Sequence, residues 1–119
     1  MNGDGPDELP QFLPHPVEVS EQKIRNYLLD TSHRDGGPKA RFFIAKGFSR
    51  ADWGAFATAV KYHPVANPIH EQEATEYGLK VVIQCIIQTP DGSNPCILTV
   101  WMVEEQQAPR LVTAYPLKN

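Results

Sequence analysis

The chain from residue 79 to residue 116 reads LKVVIQCIIQTPDGSNPCILTVWMVEEQQAPRLVTAYP. Apolar residues recur at every second position from Leu79 onward, which is the period of a β-strand. A turn signal follows at Thr89–Gly92. Further strand candidates lie at 96–103 and 110–115, and a weaker one precedes the stretch at 68–76. The pattern predicts an antiparallel meander of three to four strands.

The residues before this meander have helical periodicity and helix-capping signals. The signals predict three helices, from Ser20 to Asp30, from Pro38 to Gly47, and from the Ser49–Asp52 capping box to Pro64. Prolines 10, 14 and 16 favour an extended arm ahead of the first helix. Helices followed by a meander predict an α+β fold with the helices packed on one face of the sheet.

The bulk properties of the chain are those of one small domain. Its 119 residues are 41% hydrophobic, which fits a globular protein with its own core. Residues 1–8 are polar and Gly-rich, so we expect a disordered lead-in to a single domain over residues 9–119. The chain opens with no secretory pattern, and the apolar run Val81–Ile87 is too short to cross a bilayer. We therefore expect a soluble, cytoplasmic protein without membrane contacts.

Charge is unevenly distributed along the sequence. The net charge is −3, so no global positive field attracts nucleic acid. Residues 23–61, however, carry eight basic and three acidic side chains, a charge of +5. This basic third could meet an anionic ligand, or it could simply display solvated helix faces.

Neither the cysteines nor the histidines form a recognisable motif. A bridge between Cys85 and Cys96 is conceivable, but a two-residue turn at Asp91-Gly92 would place them diagonally, so we predict two buried free thiols. None of the four histidines has a Cys or His partner at the spacing of a structural zinc site: His15, His33, His63 and His70. We predict no metal and no cofactor.

A phosphate site is the most specific chemistry that the residues indicate. Lys39 follows Gly36-Gly37-Pro38 at a predicted helix N-terminus, where backbone N–H groups, the helix dipole and an ammonium suit a phosphate. On the last strand, Thr113 and Tyr115 share one face and Arg110 begins the strand. Hydroxyls on a sheet face close to a basic helix end could hold a phosphodiester. The alternative is a surface lysine beside good strand-forming residues.

Four segments of the chain read, in order, NYLLD (26–30), GGPKARFF (36–43), TVWMV (99–103) and PRLVTAYP (109–116). Together they resemble an uncharacterised bacterial domain family, over nearly the whole chain from Leu9 to Pro116. Members of that family occur as stand-alone small proteins and at the C-termini of polymorphic toxins. Their layout is similar to that of the barnase, EndoU, colicin and RelE ribonucleases. The resemblance implies a site at the family's motif positions, which here are His33, Lys39, Arg110, Thr113 and Tyr115.

Two functions remain open from the sequence. The first is a non-catalytic interaction module of a toxin/antitoxin or immunity-type system, with a protein partner. The second is a metal-independent endoribonuclease, in which His33 or His63 transfers protons, Lys39 and Arg110 stabilise the phosphate, and RNA is the partner. The two are distinguished by whether the candidate site residues converge in the folded chain.

Overall fold

The computed structural model describes residues 11–117, so the predicted lead-in at residues 1–8 lies outside the described residues. The chain forms helix α1 at Glu21–Lys23, a π-helical turn at Ile24–Leu28, helix α2 at Gly37–Ala45, helix α3 at Trp53–Ala66, and strands β1 at Ile69–Thr75, β2 at Gly78–Ile86, β3 at Cys96–Val103 and β4 at Arg110–Pro116. The strands form one antiparallel sheet in the order β1-β2-β3-β4. This architecture confirms the predicted α+β fold.

The start of the first helix follows the sequence signal. The Ser20 hydroxyl accepts a hydrogen bond from the Lys23 backbone N–H at 2.9 Å, as expected of an N-cap. The backbone then widens into the π-helical turn, which buries Ile24 and Leu28. The wider turn departs from the regular helix that the apolar spacing predicts.

Both predicted ends of the third helix are wrong by a few residues. The Ser49 hydroxyl does accept a hydrogen bond from the Asp52 N–H at 3.1 Å, but it closes a turn and the helix begins only at Trp53. Pro64 lies inside the helix rather than ending it. The helix ends instead at Ala66, where the His63 carbonyl accepts hydrogen bonds from both the backbone and the side chain of the C-cap residue Asn67, at 3.1 and 2.9 Å.

The core lies between the helices and one face of the sheet. Phe43 of α2, Phe56 of α3 and Trp101 of β3 are fully buried, and the two phenyl rings meet edge to face at 5.0 Å. The N-terminal arm borders β4, because the Glu18 N–H donates to the Pro109 carbonyl and the Leu111 N–H donates to Glu18, at 2.7 and 2.9 Å. The arm therefore covers part of one sheet edge.

The prediction of two free thiols is wrong, because Cys85 and Cys96 form a disulfide. The connection between β2 and β3 is longer than a two-residue turn, so Cys96 lies opposite Ile86 and beside Cys85. Cys85 also has a backbone φ of 143°, in the left-handed region, which breaks the regular alternation of side chains. The disulfide joins the last residues of β2 to the first residue of β3, and Cys85 is exposed there.

A bulge in β4 decides which of its side chains reach the core. Val100 pairs with Thr113, but the next residue of β3 pairs with Leu111, so one residue of β4 is left unmatched. Leu111 and Ala114 are consequently buried, whereas Thr113 and Tyr115 stay partly exposed. The bulge thus keeps this hydroxyl pair available to groups outside the core.

Candidate functional site

Lys39 is the centre of a polar cluster that joins three parts of the fold. Its Nζ donates to the Tyr27 hydroxyl at 2.6 Å and to the Thr113 Oγ1 at 3.3 Å. The same ammonium lies 5.0 Å from the ring centroid of Tyr27 and 5.3 Å from that of Tyr115. One cation, flanked by two aromatic rings, therefore joins three elements. They are the first helical segment (α1 with the π-helical turn), the first turn of α2, and strand β4.

Two glycines allow the loop before α2 to lie against Tyr27. A Cβ at Gly36 would come within 2.7 Å of the Tyr27 ring and 2.8 Å of its carbonyl oxygen. A Cβ at Gly37 would lie 2.8 Å from the Thr31 carbonyl oxygen. Since real Cβ atoms do not approach backbone oxygen so closely, the Gly-Gly pair is what permits Lys39 to reach the phenol.

His33 also packs against Tyr27, and backbone groups fix its ring. Its Nδ1 accepts hydrogen bonds from the N–H groups of Asp35 and Gly36, at 3.1 and 3.0 Å. Its ring meets the Tyr27 ring edge to face at 4.8 Å. Because two donors point at Nδ1, the proton of the neutral ring lies on Nε2. His33 can therefore donate a hydrogen bond to a ligand, but its lone pair is already engaged.

The electrostatic surroundings favour negative charge on Tyr27. Burial, the largest single influence, raises its pKa, but hydrogen bonds with Lys39 and Thr113 and the positive charges of Lys39 and Lys23 together hold the pKa below its ordinary value. Lys23 lies 5.5 Å from the ring centroid. A phenol beside two ammonium groups is easier to ionise than one in water.

The lysines of the cluster have no carboxylate partner within the described part of the chain. The ion pairs among residues 11–117 are Arg25–Glu21 at 2.9 Å and Arg110–Glu104 at 2.8 Å. Neither pair includes Lys23 or Lys39. Neutral hydroxyls and aromatic rings do not neutralise an ammonium, and the two lysines leave the cluster positive even when Tyr27 is ionised, so it can still bind an anion.

The remaining predicted residues lie in different surroundings. Arg110, at the start of β4, is exposed and donates to Glu104, so its side-chain contact is with that carboxylate and not with the cluster. His63 is 1% exposed, between α3 and the sheet. Burial lowers its pKa, although its hydrogen bond with the Cys85 carbonyl acts in the opposite direction. His63 therefore holds the core together and is out of reach of a large substrate.

Sequence reasoning missed Tyr27 and Lys23. Tyr27 fits the apolar stripe of the first helix and so looks like a core residue, and Lys23 looks like a solvated one. The one available signal is Gly36-Gly37, since two glycines ahead of a helix indicate a close approach by some other group. That signal does not say which group approaches.

The described part of the chain offers no preformed metal site. Within residues 11–117, no group of three or more His, Cys, Asp or Glu side chains is arranged to hold a metal ion. In the same range, no helix has the length and apolar character needed to span a bilayer.

Comparison with known proteins places the chain in a family. No curated protein matches the sequence. A solved structure described as a contact-dependent growth inhibition toxin–immunity protein complex from Klebsiella pneumoniae 342 contains a chain of the same fold, with a TM-score of 0.65 and 15% sequence identity. The likeness covers 83% of this chain and 98% of that one. The family model described as a domain of unknown function (DUF6883) matches residues 9–118. The chain belongs to the DUF6883 family.

Proposed function

We propose that this domain cleaves RNA without a metal ion and that Lys39 binds the scissile phosphate. The observation that carries the proposal is the Lys39 ammonium, which has hydroxyl and aromatic partners but no carboxylate among its described contacts. Such a cation attracts an anionic oxygen more strongly than one already paired with an acid. The cluster is built from positions that are partly exposed, so a phosphodiester can reach it.

The chemistry needs no metal because RNA contains its own nucleophile. Attack of the 2′-hydroxyl on the adjacent phosphorus gives a cyclic phosphate and a free 5′-hydroxyl. A protein accelerates this step by stabilising the charge that develops on the phosphate and by moving protons. Lys39 and Lys23 supply positive charge, the Nε2–H of His33 supplies a hydrogen-bond donor, and Thr113 and Tyr115 border the phosphate. Arg110, which lies outside the cluster, would contact a more distant phosphate of the RNA.

The comparisons support a role in a toxin–immunity system. The solved chain of the same fold comes from a complex of that kind, and we propose that the DUF6883 domain lies on the toxin side. A ribonuclease fold of the barnase, EndoU, colicin and RelE type is part of the same proposal. The protein partner would then be one that covers the Lys39 cluster.

The test is cleavage of a labelled RNA oligonucleotide in excess EDTA. We expect the wild-type chain to cleave RNA but not DNA of the same sequence, since DNA lacks the 2′-hydroxyl. Lys39→Ala should reduce the rate on the order of 10²–10³-fold, the usual effect of removing one group that stabilises transition-state charge. Lys61→Ala, which removes an exposed lysine of α3, is the matched control and should cleave normally. Intact RNA with the wild-type protein would overturn the proposal.

A non-catalytic interaction module is the second candidate, and strand β1 favours it. Six of its seven residues are exposed, it is an edge strand, and it carries Glu71 and Glu73. An exposed edge can add a strand from a partner, and these acids would select a basic one. Net charge favours neither candidate, because residues 11–119 hold eleven basic and eleven acidic side chains. A stable protein complex that a Glu71→Arg, Glu73→Arg double variant no longer forms, together with intact RNA, would support this candidate.

A further inference from the structure

The group that accepts the proton of the 2′-hydroxyl is not supplied by any histidine in the described chain. The Nδ1 of His33 is engaged by two backbone N–H groups and its Nε2 already carries the proton. His63 is buried in the core. His15 lies on the N-terminal arm and His70 on β1, and neither belongs to the elements that meet at Lys39. The hydroxyl groups of the cluster itself are therefore the candidates for the base.

Among the groups of the cluster, the Tyr27 oxygen has the right chemistry and position. It lies 2.6 Å from the Lys39 Nζ that would bind the phosphate, so a 2′-hydroxyl next to that phosphate comes within reach of it. The Thr113 hydroxyl is a much weaker acid than a phenol and is not ionised near neutral pH. No carboxylate among the described residues forms an ion pair with Lys39.

We propose that Tyr27 is the catalytic base of the Lys39 site, an inference that rests on the proposed cleavage of RNA. The Tyr27 phenolate takes the proton from the 2′-hydroxyl, and the O2′–P bond forms. The P–O5′ bond breaks, and its electron pair leaves with the 5′-oxygen, which takes a proton from solvent water. Tyr27 then returns its proton to solvent, so the cycle consumes neither protons nor any other reactant.

The groups that face Tyr27 favour its ionised form. Lys39 of α2 donates to its oxygen, Lys23 of α1 lies 5.5 Å from its ring centroid, the His33 ring packs against it in a T-shaped contact, and Thr113 of β4 accepts from the same Lys39 ammonium. None of the four carries negative charge, and together the two lysines and the hydrogen bonds outweigh the effect of burial on its pKa. At any given pH, these groups therefore make a larger fraction of Tyr27 available as a proton acceptor than of a phenol in water.

The surface beside Tyr27 leaves room for a nucleotide. A shallow depression of about 300 Å³ is bordered by Tyr27 and by polar side chains of the first helical segment: Ser20, Gln22, Lys23 and Asn26. Its lining can hydrogen-bond to a ribose or a base. The phosphate at Lys39 and the nucleotide in this depression would place the ribose over the phenol.

The experiment compares Tyr27→Phe with the wild-type chain on the same RNA in EDTA. Removing the hydroxyl should lower kcat on the order of 10²–10⁴-fold, while binding of 2′-O-methyl RNA, which is not cleaved, should stay unchanged. The wild-type rate should rise with pH until the phenol is ionised, and the residual rate of Tyr27→Phe should lack that limb. Tyr77→Phe, at an exposed turn, is the matched control and should keep the wild-type rate and pH profile.

A second variant tests the same inference if the Tyr27→Phe protein folds poorly. Incorporating 3-fluorotyrosine at position 27 keeps the hydroxyl and lowers the phenol pKa, so the rising limb of the pH profile should move to lower pH. Cleavage by Tyr27→Phe at the wild-type rate, or an unmoved limb with fluorotyrosine, would overturn the role of Tyr27 and leave the Lys39 site standing. No cleavage by the wild-type chain would overturn both proposals.

Discussion

The Nδ1 atom of His63 lies 2.9 Å from the Thr99 Oγ1 in the closed interior between α3 and the sheet. The Nε2 of the same ring lies 2.9 Å from the Cys85 carbonyl oxygen, and the Trp101 Nε1–H donates to Thr99 at 2.9 Å. A carbonyl only accepts, so Nε2 carries the proton and Nδ1 accepts from the Thr99 hydroxyl. The neutral imidazole is thereby satisfied at both nitrogens.

The buried neutral histidine makes stability depend on pH. Burial holds the pKa of His63 below its ordinary value of 6.5, so the unfolded chain binds a proton at a higher pH than the folded one. The contribution of His63 to the free energy of unfolding should therefore be fully present above pH 6.5. It should be lost as the pH drops from there toward the folded pKa. Urea unfolding at a series of pH values measures this slope. In His63→Gln the contribution of this group should disappear, and an unchanged slope in that variant would contradict the assignment.

Thr99→Val should destabilise the fold by about 2–3 kcal/mol, because it leaves the Trp101 N–H and the His63 Nδ1 buried without a partner. The substitution is close to isosteric, so the loss reports the hydroxyl rather than a cavity. Thr99→Ser keeps the hydroxyl and should cost less. Urea unfolding at pH 7.5 compares the three chains, and equal stability of the valine variant would show that the hydrogen bonds contribute nothing.

Gly36→Ala should displace the Tyr27 ring, since the added Cβ would overlap both the ring and the Tyr27 carbonyl. We expect a loss of about 1–3 kcal/mol, as for other overpacked sites, together with weaker binding of 2′-O-methyl RNA. Gly54→Ala in α3 is the matched control: its Cβ would meet nothing within 4 Å, and replacing a helical glycine should stabilise the chain by about 0.5 kcal/mol. Thermal unfolding and RNA binding are measured for both, and an undisturbed Gly36→Ala chain would contradict the tight contact.

The disulfide predicts that native protein purified without reductant contains no alkylatable thiol. Bridging Cys85 and Cys96, 11 residues apart in sequence, should stabilise the fold by about 3 kcal/mol relative to the reduced chain. Alkylation followed by mass spectrometry counts the thiols, and urea unfolding with and without reductant measures the difference. Two labelled cysteines in the native chain would contradict the bridge. Disulfides persist mainly in oxidising compartments. The bridge therefore lends no support to the expected cytoplasmic location, which stays a prediction.

Sequence patterns predicted the secondary structure well because their causes are local. The period-two run from Leu79, the Ser20 cap and Gly47 with its φ of 108° each act within a few residues. Helix bounds were less accurate where a neighbouring group intervened, as Asn67 does beyond Pro64. Local chemistry also identified Lys39 and Thr113 as candidates for a phosphate site.

The amino-acid sequence by itself determined the α+β architecture, the four strand candidates and the residue types able to bind phosphate, since propensity, capping and periodicity operate over short distances. Only the tertiary structure decided which of those residues meet. It brought Lys39 to Thr113, 74 residues away, added Tyr27 to the cluster and left Arg110 with Glu104. The physical reason is that cross-strand neighbours depend on strand register. Register and close approach are settled only when the elements pack, as shown by the bulge beside Val100, the left-handed backbone at Cys85 and the room left by Gly36.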